Sequence, residues 1–191
     1  MQTALKPNSD RLYLVSCSNL VPVKRIDKII GILRCLQNFN VTWVHYGDGP
    51  LMNWLVNEIK TLPDNIKVYL KGNVPNKALM EEYKNNYFDL FVNLSDSEGL
   101  PVSIMEAMSF GIPCLATAVG GTPEIVENAY NGFLVDVNAT PKAISDIILQ
   151  NKEKLFVMRD YSRKSWETKF SGDNNYSIFI DELKNLLQGN I

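Results

Sequence analysis

The chain has 191 residues, of which 46% are hydrophobic and 21% charged, and its formal net charge is −2. That length and apolar fraction suit one domain with a real core, and the charge balance excludes the basic footprint of a nucleic-acid-binding domain. No apolar run approaches a membrane span and the opening MQTALKPNSD lacks a signal-peptide core, so a cytoplasmic protein is expected.

Residues 1–10 are polar and contain Pro7, the composition of a linker, and the domain proper is expected over 11–191. Residues 11–17 (RLYLVSC) read as a buried strand, and 25–37 carry Ile26, Ile29, Ile30 and Leu33 at helical spacing. A strand at 41–46 is followed by Gly47, Asp48, Gly49 and Pro50 and a helix to about Leu62. A strand at 66–70, a helix at 76–85 and a strand at 88–94 (FDLFVNL) come next. After them the pattern gives a short helix containing Glu106, a strand at 113–118, a helix after Thr122, a strand near 132–135, and a helical tail from 141 to 187 broken around 171–173. Strands alternating with helices through short loops predict βαβ units, hence a doubly wound parallel α/β sheet of Rossmann-like type. Such sheets bind ligands beyond the carboxyl ends of their strands, near a switch in strand order. The loops that follow these strands therefore hold the candidate site: 19–24, 47–49, 72–75, Glu98 and 120–122.

Chemistry concentrates in residues 95–125. Glu98 and Glu106 are separated by seven residues, the first in a polar loop with Gly99 and Pro101, the second inside an apolar helix. Ionised carboxylates accept hydrogen bonds and each oxygen can engage a hydroxyl, which suits a polyhydroxylated ligand, while unpaired amides at helix starts suit phosphate. The face Met105, Glu106, Met108 gives an acidic residue no structural reason to be there; Glu98 at the start of its helix is also favoured by the helix dipole.

Glu98 and Glu106, then Ser109, Gly111 and Pro113, then Gly120, Gly121 and Glu124 resemble, in order and spacing, the signature of the retaining nucleotide-sugar glycosyltransferases of the GT-B fold, family four, also called glycosyl transferases group 1. The resemblance runs from about Arg11 to the terminal helices. It implies one GT-B half-domain, the carboxyl-terminal donor-binding one, with an amino-terminal acceptor-binding domain absent from the sequence and residues 1–10 as the interdomain linker. It also implies transfer of a hexose from a UDP- or GDP-sugar to a glycan or lipid-linked acceptor with retention, in surface polysaccharide synthesis, by a full-length enzyme peripheral at the inner face of the membrane. No cofactor, metal ion or nucleic acid is implied.

The same resemblance assigns roles. Lys24 and Glu98 are the candidate catalytic groups: Lys24 binds the diphosphate as a point charge, and Glu98 contacts sugar hydroxyls and stabilises charge. Glu106 takes the ribose hydroxyls. Where the family carries an arginine in the first loop this chain has Asn19, which brings no charge; Arg25 either compensates or is a solvated residue. Gly47 and Gly49 serve equally as a tight turn or as a close approach to the donor, and Val74 either contacts the base or belongs to an ordinary connection. Gly99, Leu100 and Val102, with Gly120, Gly121 and Thr122 opposite, are expected to present backbone amides. His45, the only histidine, is expected to be structural. Cys17, Cys35 and Cys114 lie in apolar surroundings and are expected to be buried thiols of a reducing compartment, not a disulfide frame or a zinc site. The competing reading is a non-catalytic nucleotide-sugar-binding module. A retaining glycoside hydrolase ranks lower, because its carboxylates act across a sugar without glycines and a lysine suited to phosphate.

Overall fold

The computed structural model describes residues 11–187; the linker expected at 1–10 lies outside them. The apolar strand segments assemble into a six-stranded sheet in the order β3-β2-β1-β4-β5-β6. The strands are β1 (Arg11–Cys17), β2 (Asn40–Tyr46), β3 (Ile66–Leu70), β4 (Leu90–Asn93), β5 (Cys114–Thr117) and β6 (Gly132–Val135). The pairings between these strands are all parallel, as crossover helices require. The helices are α1 (Ile26–Cys35), α2 (Met52–Ile59), α3 (Asn76–Asn85), α4 (Val102–Met108), α5 (Thr122–Ile125), α6 (Pro141–Lys169) and α7 (Gly172–Leu187). The doubly wound parallel architecture expected from the alternation is therefore present.

The alternation of side chains along each strand divides the core in two. Leu12 and Leu14 of β1 join Trp43, Ile29, Ile30, Leu33 and the α6 residues Ile144 and Ile148 on one face. Val15 joins Val44, Tyr46, Tyr83, Phe91, Ile104 and Met108 on the other. Each such side chain contributes roughly 1.5–3 kcal/mol when fully buried, which is why the sheet centre reads as continuous apolar sequence. Gly31 lets α1 approach the start of α6, since a Cβ there would lie 2.7 Å from Pro141 Cγ. Helix α6 begins where Thr140 accepts a hydrogen bond from the Ala143 amide and Pro141 occupies the first turn, both ordinary start signals.

Two boundaries differ from the sequence expectation. Strand β4 starts at Leu90 rather than 88, because the Asp89 carboxylate, not a backbone carbonyl, receives the Tyr13 amide at 2.7 Å. Helix α1 starts at Ile26 because Arg25 sits in the left-handed region, φ 48° and ψ 44°. Of the cysteines, Cys114 is buried as expected, but Cys17 and Cys35 are only half-buried. Cys17 closes β1 and Cys35 closes α1, where chain ends reach the surface.

The strand order reverses direction between β1 and β4. The loops that leave these neighbouring strands diverge to opposite faces and open a crevice between them. That crevice sets the site.

Candidate functional site

The β1–α1 loop is fixed before it reaches the crevice. The Ser18 amide donates to the Tyr46 carbonyl at 3.0 Å and the Leu20 amide to the Asp48 carbonyl at 2.9 Å, which docks it on the loop after β2. A 3-10 turn, Pro22–Lys24, then ends at left-handed Arg25. The Arg25 guanidinium pairs with Asp27 at 3.0 Å and Asp96 at 2.8 Å, and the Asp96 amide donates to the Val23 carbonyl at 2.8 Å. Arg25 is therefore paired rather than simply solvated, and it straps the first loop to the loop after β4. Asn19 is exposed, and its side chain has no hydrogen-bond partner among the described residues.

This strap brings together Lys24 and Glu98, 74 residues apart in sequence: Nζ donates to Oε1 at 2.7 Å. Both are mostly shielded, with side-chain exposures of 24% and 10%. Asn93 Nδ2 donates to the same oxygen at 3.0 Å, and Ser95 Oγ lies 2.6 Å from it. Burial pushes the Glu98 carboxyl up, but the hydrogen bonds from Lys24, Ser95 and Asn93 outweigh it and hold the pKa below the ordinary value. Glu98 is thus an ionised acceptor at neutral pH, with its second oxygen free of these bonds.

Glu106, one helix on, is half-buried in α4, and its Oε1 accepts from Asn76 Nδ2 at 2.5 Å. Its charge also reaches Cys17 at the end of β1, whose thiol burial, followed by Glu106, pushes up to about 11. Glu106 therefore faces the same carboxyl edge of the sheet as Lys24 and Glu98. Asn76, Asn93 and Ser95, which bond the two candidate glutamates, are residues that the sequence reading missed. Ser95 and Asn93 stand within five positions of Glu98, so proximity was the available signal; Asn76 opens α3, 30 residues from Glu106, and offered none.

The glycines divide by what they touch. A Cβ at Gly47 would lie 2.0 Å from the Ser18 carbonyl oxygen and one at Gly49 2.7 Å from that of Leu20. Loop packing thus requires both, and the turn reading is sufficient for them. Gly120, at φ 52°, would place a Cβ 1.8 Å from the Glu98 carbonyl oxygen. Of the facing amides, Gly121 N–H donates to the Gly99 carbonyl at 2.8 Å and Thr122 N–H to Val119 at 3.1 Å. Those two expected phosphate donors are consumed inside the fold, because the short α5 and its preceding turn need them. The amides of Gly99, Leu100 and Val102 donate to no backbone carbonyl among the described residues, and all three residues are exposed. Val74 is half-buried against the Tyr83 cluster, while a Cβ at nearby Gly72 would meet nothing within 4 Å.

His45 lies beneath the site, fully buried. Its Nδ1 is 2.8 Å from Ser16 Oγ, which also accepts from Trp43 Nε1 at 2.9 Å. Nε2 has no well-formed hydrogen bond. Burial, opposed only by the Ser18 backbone, lowers its pKa from 6.5 to about 4. It is a neutral structural group, as expected.

The sequence of the chain matches the profile of glycosyl transferases group 1 over residues 2–165. The chain belongs to this family. It is 27% identical over 185 residues to the N-acetyl-alpha-D-glucosaminyl L-malate synthase of Bacillus anthracis, covering 93% of this chain and 48% of that protein. It is 34% identical over 198 residues to the putative colanic acid biosynthesis glycosyltransferase of Escherichia coli, covering 96% and 47%. A crystal structure of an S. aureus TarM mutant, in complex with ligands that include UDP, superposes with a TM-score of 0.73 at 26% identity, over 88% of this chain and 34% of that one. This glycosyl transferase chain therefore spans about half the length of those two curated relatives. No helix among its described residues is long and apolar enough to cross a membrane.

Proposed function

We propose that the chain is the donor-binding domain of a retaining glycosyltransferase that moves a hexose from a UDP- or GDP-sugar to a glycan or lipid-linked acceptor in surface polysaccharide synthesis. The observation that carries this reading is the Lys24–Glu98 contact at 2.7 Å across the switch point. A cation suited to a diphosphate and a carboxylate suited to sugar hydroxyls meet where such a sheet binds its ligand. UDP in the related TarM complex supports the uridine form.

In this reading Lys24 leaves Glu98 for the diphosphate and stabilises the negative charge that grows on it as the glycosidic bond breaks. Glu98 offers its free oxygen to a sugar hydroxyl, and its charge lies close to the positive character developing at the anomeric carbon. Glu106 receives the ribose hydroxyls, and the amides of Gly99, Leu100 and Val102 complete the anion contacts. Alignment of the acceptor falls to a preceding domain outside this sequence, so this chain binds donor and transfers poorly by itself. The whole enzyme would work in the cytoplasm at the membrane face and needs no metal or cofactor in this scheme.

Titration calorimetry of the folded chain with UDP-, GDP- and ADP-sugars tests the reading. Heat with a uridine or guanosine form is expected; no heat with any at millimolar concentration refutes it. Robust transfer by the chain alone would refute the assignment of the acceptor to another domain.

A further inference from the structure

Three donors converge on a single oxygen of Glu98. Lys24 Nζ lies at 2.7 Å, Asn93 Nδ2 at 3.0 Å and Ser95 Oγ at 2.6 Å, all on Oε1. A carboxylate oxygen offers about two lone-pair directions, so three donors exceed what one oxygen holds in good geometry. Of the three, Lys24 rides on a loop and keeps 24% of its side chain exposed. Asn93 and Ser95 are 7% and 1% exposed and belong to the end of β4 and the residue pair after it.

Those two residues are also tied to each other. Asn93 Oδ1 accepts from the Ser95 amide at 3.2 Å and lies 2.8 Å from Ser95 Oγ. The Ser95 carbonyl in turn accepts from Thr117 Oγ1 on β5. A hydroxyl carries one hydrogen, so Ser95 Oγ donates either to Glu98 or to Asn93, never to both at once. The charged acceptor at the shorter distance takes it. A buried asparagine at the end of a central strand is costly unless its amide is used. Here the use is Glu98.

We propose that Asn93 and Ser95 are positioning residues that hold Glu98 in place independently of Lys24, so that Lys24 can transfer to the diphosphate while the free Glu98 oxygen stays aimed at the donor sugar. The two fixed donors satisfy Oε1 when the third departs, and the carboxylate does not swing after its lysine. Arg25 and Asp96 contribute by keeping the two loops in register throughout. The inference rests on the donor-binding reading above, but its first test needs no nucleotide.

That test is a carbon-13 titration of the Glu98 carboxyl in the free protein. In Lys24→Ala the carboxyl still titrates below the ordinary glutamate range, and only Lys24→Ala combined with Asn93→Ala and Ser95→Ala leaves burial unopposed and carries it above that range. Return of Glu98 to the ordinary range in Lys24→Ala alone overturns the proposal. The second test compares UDP with UDP-sugar by calorimetry. Asn93→Ala or Ser95→Ala lowers the preference for the sugar-bearing form by about tenfold, the lower end of what one charged hydrogen bond contributes. The same substitution in a Glu98→Gln background has no further effect on that preference, and Ser95→Thr, which keeps the hydroxyl, restores part of it. Equal losses for UDP and UDP-sugar, with an unchanged ratio, indicate mere structural damage and overturn the proposal. Absence of any nucleotide heat in the unsubstituted chain instead refutes the donor-binding reading, while the carboxyl titration still decides whether Asn93 and Ser95 hold Glu98.

Discussion

The crevice between β1 and β4 and the loop between β3 and α3 are two ends of one carboxyl edge, and they are built differently. In the crevice, two loops are cross-linked by Lys24–Glu98, Arg25–Asp96 and the Asp96–Val23 backbone bond. Beyond β3, Lys71, Asn73, Pro75 and Asn76 are exposed, and a Cβ at Gly72 would meet nothing within 4 Å, although its carbonyl accepts from the Gly47 amide at 2.8 Å. The crevice, which the proposed reading gives to diphosphate and sugar, is thus held by cross-links between its loops, while the loop after β3, which it gives to a base, is more exposed. A preformed site loses less ordering entropy on binding, so on the proposed donor-binding reading most of the affinity is expected in the crevice, with the loop after β3 as the adjustable end.

Matched glycine substitutions give the sharpest contrast. Gly120 and Gly72 both have left-handed backbones, φ 52° and 65°. Gly72→Ala carries only the left-handed penalty, about 1–2 kcal/mol. Gly120→Ala adds a clash with the Glu98 carbonyl, an overpacking cost of roughly 1–3 kcal/mol more, and should impair nucleotide binding as well. Urea unfolding measures both; equal losses would mean that the crevice is no more tightly built than the open loop.

A second expectation concerns acid stability beneath the crevice. His45 takes its proton at about 4 in the folded state against 6.5 when unfolded. Between those values the unfolded chain binds more protons, so stability falls as pH falls through that window, by about 3 kcal/mol in total. His45→Gln should remove that share of the pH dependence, read as the difference between the two unfolding curves from pH 7 to 4.5. Parallel curves would show that His45 is not the buried neutral group described.

Binding effects rank next. Glu106→Ala should weaken UDP and UDP-sugar alike by about 1.5–3 kcal/mol, because it removes charged acceptors for ribose hydroxyls. Lys24→Ala should weaken UDP by about tenfold, or ~1.4 kcal/mol, since part of the lysine–phosphate gain is offset by the Glu98 pair given up on binding. Asn76→Ala, on the open side, should weaken UDP by only about 1 kcal/mol through a looser Glu106. Calorimetry that placed Asn76 above Lys24 would reverse the comparison between the two ends.

Much of the fold was legible because period and length point the same way. Each strand segment is a short apolar run and each helix segment carries helical spacing, so all six strands and the long tail broken near Ser171 emerged at nearly their observed positions. What local pattern does not carry is long-range partnership. Lys24 and Glu98 meet only because β1 and β4 are neighbours at the reversal, and Asn76 reaches Glu106 only because α3 starts at the same edge. Left-handed Arg25 was equally invisible, since the strap to Asp96 and not local propensity holds it there. The amides of Gly121 and Thr122 illustrate the reverse error: a Gly–Gly turn before a helix promises free donors, yet the turn and the neighbouring loop use them.

The most direct measurement of the account is a crystal structure of the chain with uridine diphosphate. Lys24 Nζ should have left Glu98 and lie within about 3 Å of a diphosphate oxygen, with Glu98 Oε1 still held by Asn93 and Ser95. A diphosphate bound elsewhere, with the Lys24–Glu98 pair intact, would contradict it.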